Sequence, residues 1–416
     1  MKTSRRTFLT GTAALAAGAY SGSAFGQTVI DEILASTRRG TWNDQFDARP
    51  TATSGRVEST TPIFSPTTVA HIEQTLWQYQ NIVANGGWPT VPATKKLELG
   101  VVDPDVQALR RRLMVSGDLS QQAGLSNSFD TYVDAAVKRF QARHGLPADG
   151  ATGKFTYAAM NVSADVRLGQ LETNLVRLRS MSGFLGDRYV MVNIPAAEID
   201  AVEGDRVVSR HNGVVGKIDR QTPILNSKIN EVIINPYWNA PESIVRKDII
   251  PLMRKDPNYL TDNNIRLFGP NGEVDPMTID WSTEEAAKLR FRQDPGKINA
   301  MASVKINFPN PHAVYMHDTP QQSMFNQIER FHSSGCVRVQ NVRDLVTWLL
   351  KNTNGWNRQR FEDTIKTGES VPVALADPVP VYFTYISAWA TGEGVAHFRN
   401  DIYARDGVDE LLISGL

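Results

Sequence analysis

The spacing of hydrophobic residues divides the chain into a helical first part and a strand-rich second part. Apolar residues recur at helical spacing from Thr67 to Ala84, which predicts a helix that ends at Gly86–Pro89. The same spacing from Arg167 to Met181 predicts another helix, which we expect to pack on the first.

Residues 103–161 have the pattern of a compact unit of three short helices. In the first helix, Asp103 is the candidate N-cap and Pro104 the first helical residue. The second is predicted over Tyr132–His144, and the third ends near Met160.

From Arg188 the pattern changes to short β-rich runs separated by turn residues. A helix is predicted over Asp344–Leu350, and a polar, partly helical stretch between Pro241 and Gly296 interrupts the strands. Such a long insertion is typical of a lid or a substrate-binding element. The predicted strands are Tyr189–Pro195, Asp205–Gly216, Lys228–Trp238, Ser303–Phe308 and Ala313–His317, followed by a hairpin of Val379–Trp389 with Val395–Phe398.

The N-terminus has the features of an export signal. Arg5 and Arg6 precede an alanine-rich apolar stretch, and small residues lead to a candidate cleavage site before Gln27. The paired arginines are typical of twin-arginine signals, and the apolar stretch is too short for a stable membrane span. We therefore expect a periplasmic or cell-envelope protein, with an uncleaved anchor as the alternative.

Composition narrows the possible partners. The chain of 416 residues carries 44 basic and 44 acidic residues, so nothing in its charge predicts a nucleic-acid partner. Its length predicts about two or three domains, and its 41% hydrophobic content is enough for packed cores. The single cysteine excludes a disulfide within the chain.

That cysteine, Cys336, is the main candidate for chemistry. A lone cysteine is often a small buried hydrophobe, but the run Phe331–Val339 places this one in a polar turn after a glycine. We therefore predict a nucleophile that needs a nearby base. His317, at the end of a predicted strand, is preferred over His332 as that base.

A zinc hydrolase is a further alternative, because His312 and His317 lie in one short run. No recognisable set of ligand spacings accompanies them, so no metal and no other cofactor is predicted.

Two stretches resemble known families. Phe129–Thr156 resembles the small three-helix peptidoglycan-binding domain of cell-wall enzymes, with Phe129, Val137, Phe140 and Leu146 expected in its core. The sequence H-D-T-P from His317, followed by S-S-G-C-V-R-V and preceded by N-P-Y-W, resembles the L,D-transpeptidase (YkuD) catalytic domain.

Within this motif, Ser333, Gly335, Cys336 and Arg338 match the family pattern, whereas Ser334 replaces its second histidine. That serine resembles the large YcbB-like branch, which carries a helical scaffold, a peptidoglycan-binding domain and an inserted capping subdomain. Further matches to that branch are Asn235–Pro241, Asp256–Leu260, Arg290–Gly296 and Phe398–Tyr403.

The resemblance implies a multidomain α+β fold with a mainly β catalytic domain. The expected division is a signal peptide (1–26), an N-terminal segment and helical scaffold (27–102), a peptidoglycan-binding domain (103–161), a scaffold helix (162–187) and the catalytic domain (188–416) with a capping insertion at about 241–296.

It also implies a reaction. Cys336 attacks the L-centre carbonyl of the third-position diaminopimelate in a tetrapeptide stem, D-alanine leaves, and the amine of a second stem resolves the thioester. His317 moves the proton, and a neighbouring imidazolium would favour the thiolate. The N–H of Cys336, with that of Gly335 or Ser334, would form the oxyanion hole.

Other residues have two readings each. Arg338 would bind a substrate carboxylate or form a structural salt bridge, and Ser333 would shape the loop or hydrogen-bond nearby. Tyr237 and Trp238 would line the donor groove or belong to the core.

Several functions remain open at this stage. Water in place of the amine would give an L,D-carboxypeptidase, and another acceptor would make or cleave a link to a wall protein. A non-catalytic wall-binding protein is a third possibility, in which residues 103–161 carry the function. The expected partners are peptidoglycan stems and other wall synthases, and the resemblance implies acylation by carbapenems.

Overall fold

The computed structural model describes residues 60–65, 67–181, 183 and 185–407. The predicted signal peptide and nearly all of the segment at 27–65 lie outside the described residues. Among the described helices, none is long and apolar enough to cross a membrane.

The first described part is helical, as predicted. Helices α1 (Thr68–Ala84) and α5 (Ala164–Ser180) pack on each other through an apolar cluster that includes Ile72 and Leu171. This confirms the predicted contact between the two helices. Both have apolar residues at helical spacing on one face, which is the side they bury.

Between them lie α2 (Asp105–Val115), α3 (Thr131–Arg143) and α4 (Lys154–Asn161), which enclose a core of their own. Phe129, Val137 and Phe140 are fully buried there, as predicted. Helix α2 begins one residue later than predicted, since Pro104 occupies the N-cap. Asp103 still caps it, because its Oδ1 accepts the N–H of Asp105 at 2.9 Å.

The main sheet has nine strands, namely β1 (Arg188–Asn193), β2 (Glu198–Glu203), β3 (Arg206–Gly216), β4 (Leu225–Ile234), β9 (Val304–Asn307), β10 (Met316–His317), β11 (Phe331–Ser333), β12 (Val337–Val339) and β13 (Val371–Thr384). Their order is β11-β3-β12-β10-β9-β4-β13-β1-β2, and β2 also pairs with β3, so the sheet closes on itself. The interior of the sheet and two helices, α9 (Val342–Leu349) and α10 (Arg358–Thr367), share one large apolar core.

Strand β2 was not predicted, because three of its six residues are acidic. The fold compensates for one of these charges across the ladder. Asp200 stands opposite Arg210 of β3 and accepts two hydrogen bonds from its guanidinium, at 2.7 and 2.8 Å. A buried carboxylate paired in this way is compatible with a buried strand.

The predicted C-terminal hairpin was wrong in its first arm. Strand β13 ends at Thr384 and joins the main sheet between β1 and β4. Only β14 (Ala388–Thr391) pairs with β15 (Val395–Phe398). The chain leaves the sheet because Asn193 and Asn174 side chains accept the N–H groups of Ile386 and Ser387, at 3.1 and 3.0 Å.

The insertion, residues 241–296, contains more strand than its polar sequence predicted. It supplies β6 (Ile265–Gly269), β7 (Gly272–Val274) and β8 (Arg290–Gln293) to a sheet in the order β5-β8-β6-β7, with β5 (Trp238–Asn239) just before it. Short helices precede β6, namely α6 (Glu242–Ile244), α7 (Ile250–Lys255) and α8 (Tyr259–Asp262), with a π-helical turn at Val245–Ile249. The insertion has its own apolar core. The described chain as a whole combines a helical first part with strand-rich later parts, as expected of the α+β class.

Candidate active site

The sheet register brings the predicted nucleophile and base to one face. Strands β10 and β12 run parallel with Met316 opposite Val337, and both of these side chains lie in the apolar core. Because side chains alternate along a strand, Tyr315 and His317 project from the other face, and so does Cys336, the residue before β12. Cys336 is therefore beside Tyr315 and diagonal to His317.

Lys305 adds a positive charge to this face. It stands opposite His317 in the antiparallel pair of β9 and β10, and its Nζ lies 4.4 Å from the centroid of the Tyr315 ring. Burial lowers the pKa of Lys305, and the Cys336 thiol group acts in the opposite direction. A cation at this position favours a thiolate over a thiol.

His317 is held as a neutral base. Its ring is 7% exposed, and Nδ1 lies 2.5 Å from the carbonyl oxygen of Asp318. A carbonyl can only accept, so Nδ1 carries the hydrogen and Nε2 keeps its lone pair. Burial, followed by the charges of Arg338 and Lys305, lowers the pKa of His317 to about 3.

Burial opposes the expected pairing of a His317 imidazolium with a Cys336 thiolate. Burial raises the pKa of the Cys336 thiol, although the N–H and hydroxyl of Tyr315, Lys305 and Arg338 oppose that effect. With the pKa of His317 lowered at the same time, both groups are neutral near pH 7.

The cysteine turn, Ser333–Cys336, is closed by its own hydrogen bonds. The Ser333 hydroxyl donates to the Cys336 carbonyl at 2.5 Å and accepts the Gly335 N–H at 3.1 Å. Gly335 has φ +110°, a conformation that other residues rarely adopt. The Gly335 N–H is therefore engaged, whereas within the described part of the chain no acceptor meets the N–H of Ser334 or Cys336.

Hydrogen bonds made by Thr222 and Tyr403 support the cysteine turn. The Thr222 hydroxyl donates to the Gly335 carbonyl at 2.9 Å and accepts the Gly216 N–H at 2.8 Å. The Tyr403 hydroxyl donates to the Gly216 carbonyl at 2.5 Å and accepts the Thr222 N–H at 3.2 Å. Tyr403 ends the stretch Phe398–Tyr403 that matches the YcbB-like branch, whereas no sequence motif pointed to Thr222.

Ser334 connects the turn to the insertion. Its hydroxyl lies 2.9 Å from Nη1 of Arg220, and both guanidinium nitrogens of Arg220 reach the carboxylate of Asp248 at 2.6 and 3.0 Å. Asp248 lies in the π-helical turn of the insertion and is only 1% exposed. The serine that replaces the common histidine is thus bonded to an arginine that belongs to an ion pair.

Arg338 points into the fold. It is 3% exposed, and its Nη1 donates to Gln321 Oε1 at 2.7 Å and lies 2.6 Å from Met324 Sδ. Both partners belong to the segment that follows His317. These contacts favour a role in supporting that segment over binding a substrate carboxylate.

Three further predicted residues have contacts outside the cysteine turn. Trp238 is buried in the core of the insertion, and Tyr315 packs against the same core. Tyr237 is 44% exposed, with the Arg292 guanidinium 4.6 Å from its ring centroid. His332 Nε2 lies 3.0 Å from the carbonyl of Glu329, which ties this ring to its own loop.

Comparisons with known proteins assign the two regions. Residues 187–374 match the model of the YkuD family, described as "L,D-transpeptidase catalytic domain". Residues 102–160 match the model described as "Putative peptidoglycan binding domain". The chain therefore carries an L,D-transpeptidase catalytic domain and a peptidoglycan-binding domain.

A curated relative, "Putative L,D-transpeptidase" of Haemophilus influenzae, is 34% identical over 239 residues, which are 57% of this chain and 48% of the relative. The chain thus spans about half the length of the curated relative it matches.

Two solved L,D-transpeptidase structures are also similar. The one from Xylanimonas cellulosilytica is 16% identical with a TM-score of 0.23, over 70% of this chain and 99% of that one. The one from Stackebrandtia nassauensis is 14% identical with a TM-score of 0.24, over 71% and 96%.

In the L,D-transpeptidase domain no group of three or more His, Cys, Asp or Glu side chains in the described residues could hold a metal ion. The side chains placed on the face of the candidate site are those of Cys336, His317, Lys305 and Tyr315.

Proposed function

We propose that the chain is a cysteine-dependent L,D-transpeptidase that joins the third-position residues of two peptidoglycan stems. The observation that carries the proposal is that the register of β10 and β12 places Cys336 diagonal to a buried His317, whose Nδ1–H is bonded to the Asp318 carbonyl. That bond leaves Nε2 as the proton acceptor for the thiol.

In the first half of the reaction, Cys336 Sγ attacks the L-centre carbonyl of the third residue of a tetrapeptide donor, and His317 Nε2 takes the thiol proton. The N–H groups of Cys336 and Ser334 would bind the oxyanion, since that of Gly335 is held by Ser333. The carbon–nitrogen bond then breaks, and D-alanine leaves with the proton from His317.

In the second half, the side-chain amine of another stem attacks the thioester. His317 accepts the proton of the amine as the new amide forms, and the Cys336 thiol is released with a proton. A neutral thiol and imidazole suit this cycle, because each step moves one proton rather than starting from a separated ion pair.

Transfer to an amine competes with hydrolysis, which would make the protein an L,D-carboxypeptidase. The Asp248–Arg220–Ser334 contacts join the insertion to the cysteine turn. An element held there can limit the access of water, which supports transfer over hydrolysis.

The peptidoglycan-binding domain would keep the enzyme on the wall, and we propose that it acts in the cell envelope, exported by its twin-arginine-type signal. A non-catalytic wall-binding protein would use the same domain without needing Cys336. The diagonal placement of Cys336 and His317 on one face favours the enzyme.

The test incubates the chain from Gln27 with purified disaccharide-tetrapeptide and reads the products by mass spectrometry. Dimers that have lost one D-alanine, absent with Cys336→Ala, are expected. Tripeptide monomers alone would mean a carboxypeptidase. No product from a folded protein that binds sacculi would favour the wall-binding function, and dimers made by Cys336→Ala would contradict the thioester.

A further inference from the structure

A cleft of about 300 Å³ opens beside the cysteine turn. Its walls come from four parts of the chain: the segment between β3 and β4, the insertion, the segment between β9 and β10, and the turn itself. Residues from these parts that line it include Arg220, Ser243, Lys247, His312, Ser334 and Gly335. Gly335, which lines the cleft, is the residue directly before Cys336 in the chain.

Lys247 brings a positive charge to the cleft that no acidic side chain among the described residues balances. The charge of Arg220 is balanced by Asp248, whose carboxylate it contacts through two nitrogens. Asp219 also lies 3.8 Å from Arg220, but its side chain is 70% exposed and does not line the cleft. Lys247 is exposed and has no ion-pair partner among the residues that the structure describes.

An ammonium group with two nearby hydroxyls, those of Ser243 and Ser334, is suited to an anion of carboxylate size. In the proposed reaction the departing D-alanine carries a free carboxylate. Only the amide nitrogen and one α-carbon separate that carboxylate from the carbonyl that Cys336 attacks. A group in that position falls next to the cysteine turn.

We propose that Lys247 binds a carboxylate of the donor stem in this cleft, and that the carboxylate is that of the terminal D-alanine. Arg220 acts as a positioning residue, because its pair with Asp248 fixes the insertion against Ser334. The inference rests on the proposed function and adds a preference for donors that end in a free acid.

The test compares wild type, Lys247→Gln and the control Lys255→Gln. Lys255 is also an exposed lysine of the insertion, but it does not line the cleft. Each is given three donors: the tetrapeptide with a free C-terminus, the same peptide ending in D-alaninamide, and one with the D-centre carboxylate of diaminopimelate amidated. The readouts are KM and kcat for D-alanine or D-alaninamide release.

For wild type and Lys255→Gln, we expect KM to rise about tenfold with the D-alaninamide donor, as for one charge-assisted bond. Lys247→Gln should have the higher KM already with the free-acid donor, and its KM should not rise further with the amide donor. If KM for wild type rises with the amidated diaminopimelate donor and not with the D-alaninamide donor, the bound group is the D-centre carboxylate. That result would overturn the assignment to the terminal D-alanine. An unchanged acid-to-amide ratio in Lys247→Gln would overturn the proposal.

Failure of the proposed function has a different signature, namely no release from any donor by any variant. In that case the cleft can still be tested by binding. Calorimetry would measure the affinities of the acid and amide peptides for Cys336→Ala and for the double variant that also carries Lys247→Gln. Equal affinities for acid and amide in the presence of Lys247 would contradict carboxylate binding.

Discussion

The hydroxyl of Thr222 donates a hydrogen bond of 2.9 Å to the carbonyl of Gly335, the residue before Cys336. Thr222 is fully buried, so this bond is not exchanged with water. It links the cysteine turn to Gly216 and, through Gly216, to Tyr403 near the end of the described chain. The geometry of the turn therefore depends on residues distant in sequence.

Tyr403→Phe should slow acylation by loosening this support. The change removes the donor to the Gly216 carbonyl and the acceptor of the Thr222 N–H, both buried, and should lower the free energy of unfolding by about 1–2 kcal/mol. We expect a several-fold fall in kcat with little change in KM. The measurements are denaturant unfolding and D-alanine release.

Tyr382→Phe is the matched control, since its hydroxyl donates to the Leu185 carbonyl at 2.8 Å in another part of the fold. It should cost stability without changing kcat. Equal kinetic effects of the two variants would mean that Tyr403 acts through global stability alone.

His317→Ala should reduce the acylation rate by about 10²- to 10⁴-fold, because the thiol loses its proton acceptor. His332→Ala should leave the rate nearly unchanged, since that ring is bonded to the Glu329 carbonyl within its own loop. Stopped acylation mixtures analysed by intact mass would give both rates. The opposite order would show that His332 is the base.

The pH dependence of acylation should not show the titration of a histidine with an ordinary pKa. Because the pKa of His317 is lowered to about 3, the imidazole is already neutral throughout the range from about pH 5 to 7. We expect kcat/KM for acylation to be flat across that range. A fall centred near pH 6.5 would mean that His317 is exposed to water when it works.

The same lowered pKa destabilises the fold in acid. As pH falls below about 6.5, His317 binds a proton in the unfolded chain but stays neutral in the folded one. Unfolding is therefore favoured progressively down to about pH 3. His317→Gln should reduce this loss relative to wild type, as measured by denaturant unfolding at several pH values. Parallel stability profiles for the two proteins would contradict the lowered pKa.

Gly335→Ala should disrupt the cysteine turn. The residue has φ +110°, and a Cβ there would lie 3.4 Å from the Gln221 carbonyl, so we expect a cost of about 1–3 kcal/mol and a large loss of acylation. Gly204→Ala is the control, because Gly204 also has positive φ but would meet nothing within 4 Å. Similar activity of both variants would mean that the turn tolerates the strain.

Apolar periodicity, together with cap and turn residues, located the helices α1 to α5 and most strands of the main sheet, because an amphipathic segment has one face to bury whatever it packs on. It failed where burial depends on a partner. Strand β2 is buried with Asp200 because Arg210 stands opposite, and β13 leaves the sheet after Thr384 because two asparagine side chains accept its N–H groups.

By itself, the sequence determined that one cysteine lies in a glycine-containing turn downstream of a histidine at a strand end, a pattern specific enough to predict both residues as a pair. The tertiary structure decided their state. Parallel pairing of β10 with β12 put them on one face, the Asp318 carbonyl selected the tautomer of His317, and burial made both groups neutral. These properties arise from backbone atoms and from the exclusion of water, which no side-chain pattern encodes.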